Sequence, residues 1–180
     1  MTQHVAPYRR TADQSHRGRR LLSTLVAIVV VGAAWTALLV SDAAMGAVQR
    51  AFAVVTSAIL GVLGRGTVVR GTSVVSEQFG ISVVTACTGW FATGLYVLAV
   101  LVYPATWRAR LVGCVAGSAA LFAVNVVRLV SLYYVGVYWP GSLAVVHQVV
   151  WQSLVIAVVV AMWLLWAGQA SSERRRGRTS

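Results

Sequence analysis

The chain has 180 residues, of which 58% are hydrophobic and only 11% charged, where a soluble domain carries about a quarter charged residues. With a mean hydropathy of +0.77, this excludes an ordinary soluble domain and indicates an integral membrane protein. The net charge of +11 comes from fifteen arginines and no lysine; they lie in tails and short connections rather than along one soluble face, which fits orientation in a bilayer and not nucleic-acid binding.

Residues 1–20 hold Arg9, Arg10, Arg17, Arg19 and Arg20 without apolar periodicity, and predict a disordered, basic cytoplasmic tail that includes His4 and His16. The apolar run that follows is too long for a signal-peptide core and no cleavage site follows it. Residues 21–40 therefore predict the first span, since about 20 apolar residues cross the hydrocarbon core. Residues 44–64 are apolar too, but Gln49, Arg50, Thr56 and Ser57 recur at helical spacing and draw a narrow polar stripe. That stripe suits an interfacial helix as well as a span.

From 65 to 86, Gly66, Gly71 and Gly80 punctuate short β-branched runs, predicting one or two small hairpins. Further spans are predicted at 88–103, 111–130 and 145–166. Pro104 stops the first of these, a connection with Trp107, Arg108 and Arg110 follows it, and an aromatic segment from Tyr133 to Gly141 precedes the last. Gly113, Ala116, Gly117, Ala119 and Ala120 let neighbouring helices approach closely. Residues 169–180 form a second basic tail.

Charge decides the orientation. If 44–64 crosses, the two basic tails fall on opposite sides; if it lies on the outer surface, eleven arginines are cytoplasmic and Arg50, Arg65 and Arg70 remain outside. The positive-inside rule favours the second arrangement. The expected fold is an all-α integral membrane protein of about four transmembrane helices, one interfacial helix and a small extracytoplasmic β-hairpin region. Residues 21–168 form a single membrane-embedded domain, and both termini are cytoplasmic.

Three residues then converge on the outer face. Cys87 sits at the expected start of a helix, among unpaired backbone N–H groups and the positive dipole end, a setting that prepares a thiol for nucleophilic work. The small Ala86, Thr88 and Gly89 leave room for a substrate backbone, although a lone cysteine in apolar sequence is more often a buried hydrophobe. Arg128 is the charge inside a predicted span, by default a functional candidate unless it snorkels to the boundary. Asn125, one helical turn earlier, is placed to orient the guanidinium or to bond across helices. His147 opens the last span. Thiol, imidazole and permanent cation together form a constellation for acyl transfer.

Ala86-Cys87-Thr88-Gly89, Asn125-Val126-Val127-Arg128 and the isolated His147 resemble the signature segments of the exosortase/archaeosortase family of membrane-embedded transpeptidases. The resemblance covers roughly residues 44–166. It implies a catalytic triad of Cys87, Arg128 and His147, with Thr88, Gly89 and Asn125 in support. It also implies substrates that are secreted proteins ending in a short motif, a transmembrane segment and a basic cluster. Cys87 would form a thioacyl-enzyme, and a surface-anchor or lipid acceptor, or water, would release the product. Thr88 stands where many exosortases have serine, and Trp90 is bulkier than the family pattern.

The rival reading is a non-catalytic membrane scaffold or assembly subunit, in which Arg128 and His147 pair with headgroups or a partner helix. A thiol oxidoreductase using Cys87 and Cys114 is disfavoured, because Cys114 is expected near the cytoplasmic end of its span, about 20 Å deeper, and a disulfide needs Cα atoms within about 7 Å. Cys114 is read as packing. No cofactor is expected, and the outer residues offer no metal-ligand spacing. Glu77 is read as a solvated loop carboxylate rather than a partner for His147.

Overall fold

The computed structural model describes residues 7–176. They run in the order α1 Pro7–Val40, α2 Asp42–Val62, β1 Val68–Arg70, β2 Ser73–Val75, β3 Gly80–Ser82, α3 Trp90–Val102, α4 Trp107–Tyr138, α5 Leu143–Val145 and α6 Trp151–Arg176. Short 3-10 turns occupy Thr85–Thr88 and Pro140–Ser142, and a π-helical turn, Val146–Val150, joins α5 to α6.

The expected disordered tail is corrected from Pro7 onward. Proline suits the first position of a helix, and the alanine, glutamine and arginines that follow are good helix formers, so helix continues unbroken from the basic segment into the apolar run. The second basic segment is likewise helical as far as Arg176. Residues 1–6 and 177–180 of the two expected tails lie outside the described residues.

Among the described residues, four helical stretches are long and apolar enough to cross a membrane: Leu22–Val40, Asp42–Val62, Trp107–Tyr138 and Pro140–Ser172. This set differs from the expected spans in two places: Asp42–Val62, expected as an interfacial helix, is long and apolar enough to cross, and the segment at 88–103 is not. The segment expected at 88–103 yields a helix of only 13 residues, about 20 Å long against a hydrocarbon core of about 30 Å. Gly89, with φ +65°, sets its start, and extended Tyr103, placed before Pro104, ends it.

The 32-residue α4 organises the molecule. Its first half packs on α3, α6 and α1, in a cluster built from Tyr96, Val97, Val100, Leu101, Leu121, Val155 and Val159. Close approach depends on small residues, since a Cβ at Gly113 or Gly117 would collide with Trp166 or Tyr96. Tyr96 donates to Gly113 O (3.3 Å) and Trp166 Nε1 to Ala109 O (3.2 Å), so both rings end on α4 backbone.

The second half of α4 packs on α2 and the sheet through Phe52, Ala53, Leu60, Val74, Val126, Leu129 and Tyr133. The sheet is an antiparallel meander, two hairpins sharing β2, in register Val69↔Val74 and Val74↔Ile81. Val74 is fully buried, a Cβ at Gly136 would collide with Phe79, and Tyr133 donates to Ser76 Oγ (2.8 Å).

Side-chain ties set the course of α1 and α2 along α4. Arg110, near the start of α4, donates to Thr24 of α1 (3.3 Å), whereas Trp35 of α1 stacks on Trp90 at the start of α3, with centroids 4.0 Å apart. Ser41 caps α2 by accepting from Ala44 N. Beyond the far end of α2, Arg65 bonds the Tyr138 hydroxyl at the end of α4. Both ends of α2 therefore lie toward the Tyr138 half of α4. The hydroxyls of Tyr134 and Tyr138 also hold the Arg65 guanidinium above its ordinary pKa.

Candidate active site

The cysteine reaches its place through a tight turn. Val84 is extended, Thr85–Thr88 is 3-10, Cys87 N donates to Val84 O (2.8 Å) and Thr88 Oγ1 donates to Thr85 O (2.7 Å). Gly89 then takes a left-handed conformation, and α3 closes its first turn by Thr93 N donating to Gly89 O (2.9 Å). A side chain at Gly89 would be strained at φ +65° and would sit 3.2 Å from the Asn125 amide. Cys87 thus lies in the turn ahead of α3 rather than at the helix N-terminus itself. Thr88 and Gly89 shape the turn; of the three small residues Thr88 is 4% exposed, Gly89 is half-buried and Ala86 is exposed.

One face of α4 meets this turn. Asn125, 2% exposed, donates through Nδ2 to the Cys87 carbonyl oxygen. A carbonyl only accepts, so the amide nitrogen must be the atom turned toward it. Asn125 therefore grips the cysteine main chain instead of orienting the guanidinium. Arg128, one turn on and 4% exposed, brings Nη2 to 3.5 Å from the His147 carbonyl oxygen. Arg128 Nε and Asn125 Oδ1 are buried without a hydrogen-bond partner.

His147 arrives on the π-helical turn, where Trp151 N donates to Val146 O. π-turns widen a helix locally and recur at functional sites. The half-buried ring places Nε2 3.6 Å from Cys87 Sγ, across a separation of 60 residues in the chain. Cys87, Asn125, Arg128 and His147 are thereby brought together on the second half of α4. Glu77 is exposed in the turn between β2 and β3. Cys114 lies in the other cluster, about 16 Å before Asn125 along α4. Both cysteines are free thiols.

Two contributors escaped the sequence reading as site residues. Gln49 of α2 donates through Nε2 to Thr85 Oγ1 (3.1 Å), at the start of the cysteine turn. Ser57, from the same polar stripe, meets Thr67 Oγ1 at 2.9 Å. The stripe was visible, but it is turned toward protein; only the exposed Arg50 departs from this. Trp35, the second contributor, covers Trp90 beside the turn and fills the space left by Gly94.

No group of three or more metal-ligating side chains gathers among the described residues. A buried thiol, 5% exposed, within reach of an imidazole and beside a guanidinium has the components of nucleophilic acyl transfer. No protein-family model, curated protein or solved structure matches the chain.

Proposed function

We propose that the protein is a membrane cysteine transpeptidase or peptidase resembling the exosortase/archaeosortase enzymes, and that it cleaves a C-terminal sorting signal from secreted proteins. The observation that carries the reading is the 3.6 Å approach of Cys87 Sγ and His147 Nε2 beside Arg128. Nucleophile and base within hydrogen-bond reach are the signature of an activated thiol.

In the proposed reaction His147 Nε2 takes the thiol proton as Cys87 Sγ bonds to the carbonyl carbon. The carbonyl oxygen gains the negative charge, which the free N–H groups of Arg128 stabilise. The C–N bond then breaks, and His147 returns the proton to the departing amine. An acceptor amine on a lipid or surface anchor, or water, attacks the thioester; His147 takes its proton, the C–S bond breaks, and the thiol is regenerated.

The membrane arrangement belongs to the same proposal. Both ends of α2 lie toward the Tyr138 half of α4, which favours α2 resting on one membrane face over crossing. Arg128 follows Arg110 by about 27 Å along α4, close to the thickness of the hydrocarbon core. With Arg108 and Arg110 cytoplasmic, the site falls at the extracytoplasmic boundary, where a peptide bond flanking a transmembrane segment would be presented. α1, α4 and α6 would then cross as single helices, the 3-10 turn Thr85–Thr88 and the short α3 would together return the chain to the inner face, and both termini would lie inside the cell.

The test compares membrane proteomes of cells carrying the native chain or Cys87→Ala. The expected outcome is a set of proteins that keep a hydrophobic C-terminal tail only in the variant and share a motif before it. Identical proteomes at equal protein levels would overturn Cys87 as the nucleophile and make the scaffold reading the leading one.

A further inference from the structure

The Cys87 turn is gripped at both ends from two different helices. Asn125 of α4 donates to the Cys87 carbonyl oxygen, and Gln49 of α2 donates to the Thr85 hydroxyl two residues earlier (3.1 Å). Within the turn, Thr88 Oγ1 donates to Thr85 O (2.7 Å) and Cys87 N donates to Val84 O (2.8 Å). Neither Asn125 nor Gln49 bonds to the thiol or the imidazole; each acts on the main chain or on a neighbour of the cysteine. From the Cys87 turn, we infer that Asn125 and Gln49 are positioning residues which together set the distance between Cys87 Sγ and His147 Nε2.

The reason lies in what the turn lacks. A single 3-10 turn is held by few bonds and has poorer hydrogen-bond geometry than an α-helix, and Gly89, the residue that ends it, is the most flexible of residues. The histidine is carried separately, on a π-turn whose Val149 and Val150 are exposed. Two loosely built segments from distant parts of the chain keep a reactive separation only if something rigid references both. α4 does so on one face: Asn125 holds the Cys87 carbonyl oxygen, and Arg128, three residues on, lies against the His147 carbonyl oxygen. Asn125 is 2% exposed, which restricts its rotamer, and the absence of a side chain at Gly89, whose Cβ would lie 3.2 Å from the amide, lets Asn125 come up against the turn. Gln49 fixes the other end, so that the turn cannot pivot about Asn125. Displacement of a reacting group by about 1 Å costs on the order of a hundredfold in rate, which makes two hydrogen bonds a large lever on the pair.

The inference rests on the Cys87–His147 pair acting as nucleophile and base, and its test separates the two ideas. The full chain in detergent, in a Cys114→Ala background that leaves Cys87 as its sole thiol, is alkylated with iodoacetamide from pH 5.5 to 9.5. His147→Ala defines the profile of an uncoupled thiol. Asn125→Asp, which keeps size but loses the donor, is expected to reproduce that uncoupled profile, with a change in alkylation rate of roughly tenfold at pH 7, the scale of one buried hydrogen bond. Gln49→Met, of similar length without a donor, is expected to shift the profile in the same direction, and Gln49→Glu, which can accept from the Thr85 hydroxyl, to restore it. Combining Asn125→Asp with His147→Ala is expected to add nothing further. Should His147→Ala itself leave the profile unchanged, the nucleophile–base reading fails and the inference with it. Should His147→Ala shift the profile while Asn125→Asp and Gln49→Met both retain the native one, the pair stands and the positioning role is overturned. Gln49→Met lies on a separate, half-buried helix position, so the inference is decided even if Asn125→Asp does not fold.

Discussion

Along α4, the half from Trp107 to Leu121 meets α3 and α6 through glycines and large apolar side chains, whereas the half from Phe122 to Tyr138 meets α2, the sheet and the His147 turn around two buried polar side chains. In the first half the tyrosine and tryptophan packed onto Gly113 and Gly117 end on backbone carbonyls. In the second, Arg128 Nε and Asn125 Oδ1 are buried with nothing to bond, beside a 3-10 turn, a left-handed glycine and a π-turn. Buried polar groups without partners are destabilising, and departures from regular helix cluster where function requires them. One helix thus serves as a packing surface over half its length and as a template for reactive groups over the rest.

That contrast can be broken from either end. Under the proposed reaction, Arg128→Met is expected to have the largest effect, lowering sorting-signal cleavage by about 10²–10³, the usual consequence of removing an oxyanion donor. Arg128→Lys should recover only part of it, since an ammonium keeps the charge and loses the planar fork. The fraction of substrate retaining its C-terminal tail in cells measures both. In the other half, Gly117→Leu would overlap the Tyr96 ring and should destabilise the fold by about 1–3 kcal/mol, read as a lower melting temperature in detergent. Below that temperature the alkylation profile of Cys87 should be native, because the contact lies in the cluster that does not hold the site. Cys114→Ala is expected to change least, within about 1 kcal/mol in stability and without effect on cleavage. A loss of cleavage in Cys114→Ala or in folded Gly117→Leu would show that the two halves are not separable.

The chemistry-bearing residues were legible because each is out of place in an apolar chain. Arg128 is charged within a hydrophobic run, Asn125 precedes it by one helical turn, and Cys87 stands between a glycine-punctuated segment and an apolar one. The roles of their neighbours were not legible. Gly89 reads as a clearing for substrate, and its left-handed conformation and the room its missing Cβ leaves for the Asn125 amide appear only in the structure. The stripe on α2 reads as a face toward headgroups, whereas Gln49 and Ser57 bond to Thr85 and Thr67. Whether a polar stripe faces water, lipid or protein depends on what the rest of the chain brings alongside, and local periodicity carries no such information.

By itself, the sequence determined the helical, apolar character of the chain, the presence of a small sheet between residues 65 and 86, and the break at Pro104. These follow from composition, hydrogen-bond saturation and backbone sterics, which act over a few residues. Only the tertiary structure decided that α2 runs toward the Tyr138 end of α4, and that Cys87 and His147 approach to 3.6 Å. Those outcomes depend on the rotation and offset of packed helices. They are set by where small residues such as Gly117 and Gly136 admit the rings of Tyr96 and Phe79, a matter of contacts between residues far apart in the chain.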